Sequence, residues 1–120
     1  MDQLEIINGV RVLACGEDGA LLDGEGAASD FLGAAWSQEA EWLAIPLSRL
    51  GPGFLDLKTR IAGGVIQKFT NYRVKVAFVG DVMPLTQASN SLRDFVYESN
   101  KGAAVWFVRD QAELATRLAA

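Results

Sequence analysis

The sequence predicts an α/β fold: an N-terminal β-hairpin, then alternating strands and helices, with a mostly parallel sheet of five strands. Three observations carry this. Asn8-Gly9 separates two short runs rich in β-branched residues, and it is the strongest two-residue signal for a type I′ turn because both central positions need positive φ. Residues 54–81 (FLDLKTRIAGGVIQKFTNYRVKVAFVGD) change period once. Leu57, Ile61 and Val65 recur at i+4 with Ala62, Ile66 and Phe69 beside them, after which Val74, Val76 and Phe78 alternate with Lys75, Ala77 and Val79. A helix feeding a strand that is apolar on nearly both faces is half of a βαβ unit. Finally, further apolar runs of strand length alternate with helical stripes along the chain.

In chain order, residues 4–7 and 10–14 make the hairpin, and residues 16–19 (GEDG) are a polar break. Asp23 is placed to cap a first helix, in which Ala28, Phe31, Leu32 and Ala35 form an i, i+3, i+4, i+7 stripe. Residues 37–41 are a polar connection to the apolar run 42–47 (WLAIPL), where Pro46 has no amide to donate; pairing should stop by Ile45 or use one edge only. Gly51-Pro52-Gly53 is a tight loop that delivers the chain to a central helix capped by Asp56, whose carboxylate should accept from the amide of Lys58 or Thr59. After the strand 74–79, residues 80–90 read as a loop containing Met83-Pro84. Ser91 with Asp94 resembles a capping box, opening a helix with Leu92, Phe95 and Val96 inward and Gly102 at its end. Residues 103–108 (AAVWFV) are the last strand, and Asp110 with Glu113 opens a closing helix. The order is ββαβαβαβα, which implies right-handed crossovers, with only the first strand antiparallel.

Length and composition narrow the function classes. One hundred and twenty residues, half of them apolar, suit one domain spanning residues 1–120. A net charge of −4 with scattered Lys and Arg argues against binding nucleic-acid phosphates or an anionic membrane surface. No apolar stretch reaches the ~20 residues of a membrane span, and the N-terminus has no basic cluster ahead of apolar residues, so a cytoplasmic protein is expected. A lone cysteine, Cys15, excludes an intrachain disulfide and should be reduced and partly or wholly buried. With no histidine, the commonest general base and transition-metal ligand are missing, along with every Ser-His or Cys-His pair. No metal site or cofactor is expected; the acids Glu17, Asp18, Asp23 and Glu25 do not have calcium-loop spacing, and they would repel a phosphate at Gly24-Glu25-Gly26.

The candidate binding residues are few. Asp56, Lys58, Thr59 and Arg60 crowd the start of the central helix, where the two cations oppose the macrodipole and invite an anion or an acidic partner. Asp81 follows Val79-Gly80 at the C-terminal end of a parallel strand, where ligands of open α/β sheets lie, although it also suits a turn that satisfies backbone amides. Ser91 and Arg93 belong to the polar start of the next helix. Gly63-Gly64 reads as close packing of the central helix, and Trp36, Trp42 and Trp106 as core residues.

At residues 54–81, followed by SLRDFVYESNKG and VWFVRD, the sequence closely resembles the domain-of-unknown-function family numbered 4180, small bacterial proteins. The likeness is specific from 54 to about 110 and looser before that; it implies no activity. More distantly, the element order looks like the STAS domain, the fold of anti-sigma-factor antagonists. Phe54-Leu55-Asp56 matches the start of that family's loop, but Leu57 stands where its phosphorylated serine belongs, so the shape and not the phospho-switch is implied. Two function classes follow. The first is a non-enzymatic regulatory or binding module for a protein partner or a small ligand, with a homodimer also compatible. The alternative is a small enzyme using carboxylate and lysine chemistry, which requires Asp56, Lys58 and Asp81 to converge.

Overall fold

The computed structural model describes residues 2–119. Its first two strands, β1 (Gln3–Ile7) and β2 (Val10–Ala14), form the expected antiparallel hairpin, with Ile7 opposite Val10 and both turn residues at positive φ. The chain continues through α1 (Glu25–Ser37), β3 (Trp42–Pro46), α2 (Ile61–Asn71), β4 (Lys75–Val79), α3 (Met83–Ala88), α4 (Asn90–Lys101), β5 (Val105–Val108) and α5 (Gln111–Ala119). Strands β2 to β5 are parallel. Pro46 behaves as its missing amide requires: the β2–β3 ladder ends at Ala44, while Pro46 still pairs with Val79 on the β4 side.

The strands lie in sequence order, β1-β2-β3-β4-β5. Each parallel connection therefore steps one strand in the same direction, and right-handed crossovers put every connecting helix on the same face. The two apolar clusters follow from this. On the helical face, Leu13, Leu43, Ile45, Val76, Phe78 and Phe107 pack against Phe31 and Leu32 of α1, Val65 and Phe69 of α2, and the part-buried Phe95 and Val96 of α4. The other face holds Val12, Trp42, Ala44, Ala77, Trp106 and Val108, and among the described residues α5 is the one helix that roofs it, through Leu114 and Leu118. Burying Leu114 contributes ~2 kcal/mol to holding that helix. Its start is fixed by a reciprocal cap: the Glu113 amide donates to Asp110 Oδ1 at 2.8 Å, and the Arg109 amide donates to Glu113 Oε1 at 2.7 Å.

Several local expectations are corrected. Asp23 does not cap α1; Gly24 precedes it without a side-chain cap, and Arg11 closes the other end by donating to the carbonyls of Gln38 and Glu39. The central helix does not begin at Asp56. Leu57–Thr59 is a separate 3₁₀ turn, and Arg60 in the left-handed conformation (φ 63°) breaks the chain before α2, so Leu57 leaves the helical stripe. The segment 80–90 is not a plain loop, because α3 occupies most of it, and Pro84 is tolerated in the first turn where an amide has no intrahelical partner. Ser89, not Ser91, caps α4, accepting from the Leu92 amide at 3.2 Å. Gly63 has open space where a Cβ would sit, and at Gly64 a Cβ would make only ordinary contact with Glu25, so close packing demands neither glycine. Trp36 is 51% exposed, its ring edge-on to Tyr72, whereas Trp42 and Trp106 stack in the core as expected.

Candidate functional site

Parallel pairing of Val79 with Val108 brings the residues that follow β4 and β5 to one end of the sheet. Gly80 makes the exit from β4. Its φ is +147°, its amide donates to the Val108 carbonyl at 2.9 Å, and a Cβ there would lie 2.7 Å from Leu47 Cγ. Asp81 is thereby placed at the mouth of a 320 Å³ cleft between the strand ends, α3 and α4. Val82, Met83, Val96, Phe107 and Val108 supply its apolar wall; Asp81, Arg93, Asn100 and Arg109, with the hydroxyls of Thr86 and Tyr97, supply its polar groups. Asp81 Oδ1 accepts from the Met83 amide at 2.9 Å, which fixes the carboxylate and starts α3.

The wall behind these groups is rigid. Asn100 Oδ1 accepts from the Phe107 amide at 2.7 Å and its Nδ2 donates to the Phe107 carbonyl at 3.3 Å, so the end of α4 is tied to β5 as if by another strand. Arg117 of α5 donates to the Asn100 carbonyl at 2.7 Å and lies over the Trp106 ring. By contrast, the side chains of Arg93 and Arg109 are 62% and 77% exposed, and their ion pairs among the described residues are long contacts through Nε, to Asp94 at 3.7 Å and Glu113 at 3.9 Å. Pairs so exposed are worth a fraction of a kcal/mol, so both guanidiniums can turn to a ligand at little cost.

Asp56 lies in a different cleft. That groove, 450 Å³, runs between two 3₁₀ turns, Leu47–Arg49 and Leu57–Thr59, and the α3–α4 junction, and is lined by Leu47, Leu50, Phe54, Leu57, Leu85 and Leu92 among others. Asp56 accepts from the Lys58 amide at 3.2 Å, as expected of a cap, but for the 3₁₀ turn. The Thr59 hydroxyl is engaged with the backbone, 2.8 Å from the carbonyls of both Gly53 and Asp56. Lys58, Thr59 and Arg60 are exposed beside this groove without lining it, and Ser91 is exposed and lines neither cleft. The structure thus unites Asp81 with Arg93 but does not bring Asp56 and Lys58 into their cleft. Helix α3 contributes to both clefts, with Leu85 and Ala88 on one and Met83 and Thr86 on the other.

Arg109 was not singled out by the sequence reading, although the signal existed. In adjacent parallel strands, Gly80-Asp81 and Arg109-Asp110 must emerge side by side. Because the sheet runs in sequence order it has no point where strand order reverses, so the general argument for a ligand crevice at Asp81 does not apply; the cleft exists because α3 and α4 splay over the strand ends. Arg49 was also missed. It is the buried charged residue of the described chain, 6% exposed, and it organises the turn after β2 by donating from Nε to the Ala20 carbonyl at 2.8 Å and from Nη1 to the Gly16 carbonyl at 3.0 Å. Cys15 is buried next to that turn, as expected; burial, with the Asp2 carboxylate adding to it, pushes its thiol pKa up to about 12. Among the described residues no three acids or cysteines are grouped to hold a metal ion, and no helix is long and apolar enough to cross a membrane.

The fold and clefts define a mixed α/β sheet protein with its connecting helices on one face and an arginine-rimmed cleft at the ends of its last two strands. Residues 7–118 match the family model described as a domain of unknown function, DUF4180, and the chain belongs to that family. The match extends well beyond the stretch 54–110 that carries the specific motifs. No curated protein and no solved structure matches the chain.

Proposed function

We propose that this protein is a non-enzymatic binding module of the cytoplasm, STAS-like in design, that exerts a regulatory effect by taking a small ligand in the cleft at the ends of β4 and β5. The observation that carries this reading is the convergence of Asp81, Arg93 and Arg109 around one apolar cleft whose wall is pinned by Asn100. An apolar floor with a few fixed polar groups is the ordinary make-up of a small-molecule site, and 320 Å³ is at the lower end of the usual size. The enzyme reading has less support, because Asp56 and Lys58 stand apart from the cleft that holds Asp81.

The test is titration of a metabolite panel followed by amide and methyl NMR. A ligand should shift Met83, Val96 and Val108 together, and Thr86→Trp, which fills the cleft from α3, should abolish the shifts while leaving the fold intact. Ligands whose shifts map instead to Leu50, Phe54 and Leu92 would overturn the assignment in favour of the other groove.

A further inference from the structure

Resting on that reading of the cleft, we infer that its ligand is a monoanion with a short apolar body, a carboxylate whose charged end sits between Arg93 and Arg109 at the mouth. Charge decides the class. The lining carries two guanidiniums and one carboxylate, Asp81, a net charge of +1, while the Asp94 and Glu113 carboxylates that reach the two guanidiniums at 3.7 and 3.9 Å stand outside it and disfavour any more highly charged anion. A monoanion balances that sum, whereas a dianionic phosphate would leave an excess negative charge beside Asp81. A cation would have only Asp81 to meet, and one oxygen of that carboxylate is already held by the Met83 amide at 2.9 Å. The planar fork of a guanidinium matches a carboxylate in two-point fashion, which an ammonium cannot do.

The apolar wall sets the other half of the ligand. Val82, Val96 and Phe107 offer no donor or acceptor from their side chains, and Asn100 spends its amide on the Phe107 backbone. The Thr86 hydroxyl donates to the Met83 carbonyl at 3.1 Å and Tyr97 is exposed at the rim, so the part of the ligand beyond the charge meets a mainly apolar wall, and 320 Å³ suits a small body such as a short alkyl chain or a ring. Because both arginine side chains are mostly exposed, the electrostatic share of binding is screened by salt and the apolar share is not.

The experiment compares four probes of equal chain length, hexanoate, hexan-1-ol, hexylamine and hexyl phosphate, by NMR titration on the intact chain. Hexanoate should bind tightest, about tenfold better than the alcohol, with the phosphate between them and the amine weakest. Arg93→Gln with Arg109→Gln should weaken hexanoate about tenfold and leave the alcohol unchanged. Asp81→Asn, which keeps the bond to the Met83 amide, should tighten hexanoate severalfold, and 0.5 M salt should erase most of the preference over the alcohol. If the amine or the phosphate binds best, or if the double arginine variant holds hexanoate as well as the parent, the anion inference is overturned while the cleft survives as a site. If none of the four shifts the cleft residues, the inference fails; if other ligands also leave those residues unmoved, the cleft reading fails with it.

Discussion

Replacing Arg49 by alanine should be among the most damaging single changes in this protein. Its guanidinium makes two good hydrogen bonds, to the carbonyls of Ala20 (2.8 Å) and Gly16 (3.0 Å), and a weaker one to Asp18 at 3.4 Å. Its Cζ lies 5.1 Å from the centre of the Phe31 ring, and Asp2 Oδ1 is 3.5 Å from Nη1. A hydrogen bond from a charged donor contributes ~1.5–3 kcal/mol net, and such contributions overlap within one side chain. The carbonyls belong to a turn that water can reach once the side chain is gone, which trims the loss. We expect Arg49→Ala to cost ~3 kcal/mol, a large share of the ~5–15 kcal/mol by which a domain is stable. With a urea m-value of ~1.5 kcal/mol/M, the unfolding midpoint falls by about 2 M. Arg49→Lys should recover less than half of this, since an ammonium reproduces neither the fork nor the face over Phe31. Asp2→Ala should cost ~1 kcal/mol, since its side chain is 37% exposed and the ion pair long, while Oδ1 also accepts from the Gly16 amide at 3.0 Å. A loss below ~1 kcal/mol for Arg49→Ala, or full recovery by lysine, would refute the reasoning.

Asp56→Ala should cost ~0.5–1 kcal/mol, because the carboxylate caps one 3₁₀ turn and not a full helix; Asp56→Asn and Asp56→Ser should restore most of it, and equal urea midpoints for all three variants would show that capping is not its role. Cys15 should give stability a dependence on alkaline pH. Below 9.0 the thiol is neutral folded and unfolded alike; from there to about 12 the unfolded thiol ionises while the folded one stays protonated, so stability falls as pH rises, by at most ~4 kcal/mol. Cys15→Ala should flatten the urea midpoint between pH 9 and 10.5, and an unchanged slope in that variant would count against the buried thiol as its source.

The sequence by itself determined the five strands, their directions and four of the helices, while α3 read as a loop. Asn8-Gly9 set the hairpin because positive φ is a local property, and the alternation in residues 74–79 marked a strand buried on both faces wherever its neighbours lay. Asp110 and Glu113 were legible as a cap for the same reason: the groups that bond are three or four residues apart. What local pattern could not supply was anything set by distant partners. Arg60 ends one turn and precedes another through a backbone conformation that no spacing of apolar residues encodes, so Asp56 was assigned to the wrong helix. Trp36 has the composition of a core residue, but α1 turns it outward onto Tyr72, 36 residues further along the chain. Strand order decided the site. Once β4 and β5 lie side by side and parallel, Asp81 and Arg109 share a cleft with Arg93, while Asp56 falls into another; a one-dimensional pattern records which residues are charged, and only the packing of strands and helices decides which of those charges meet.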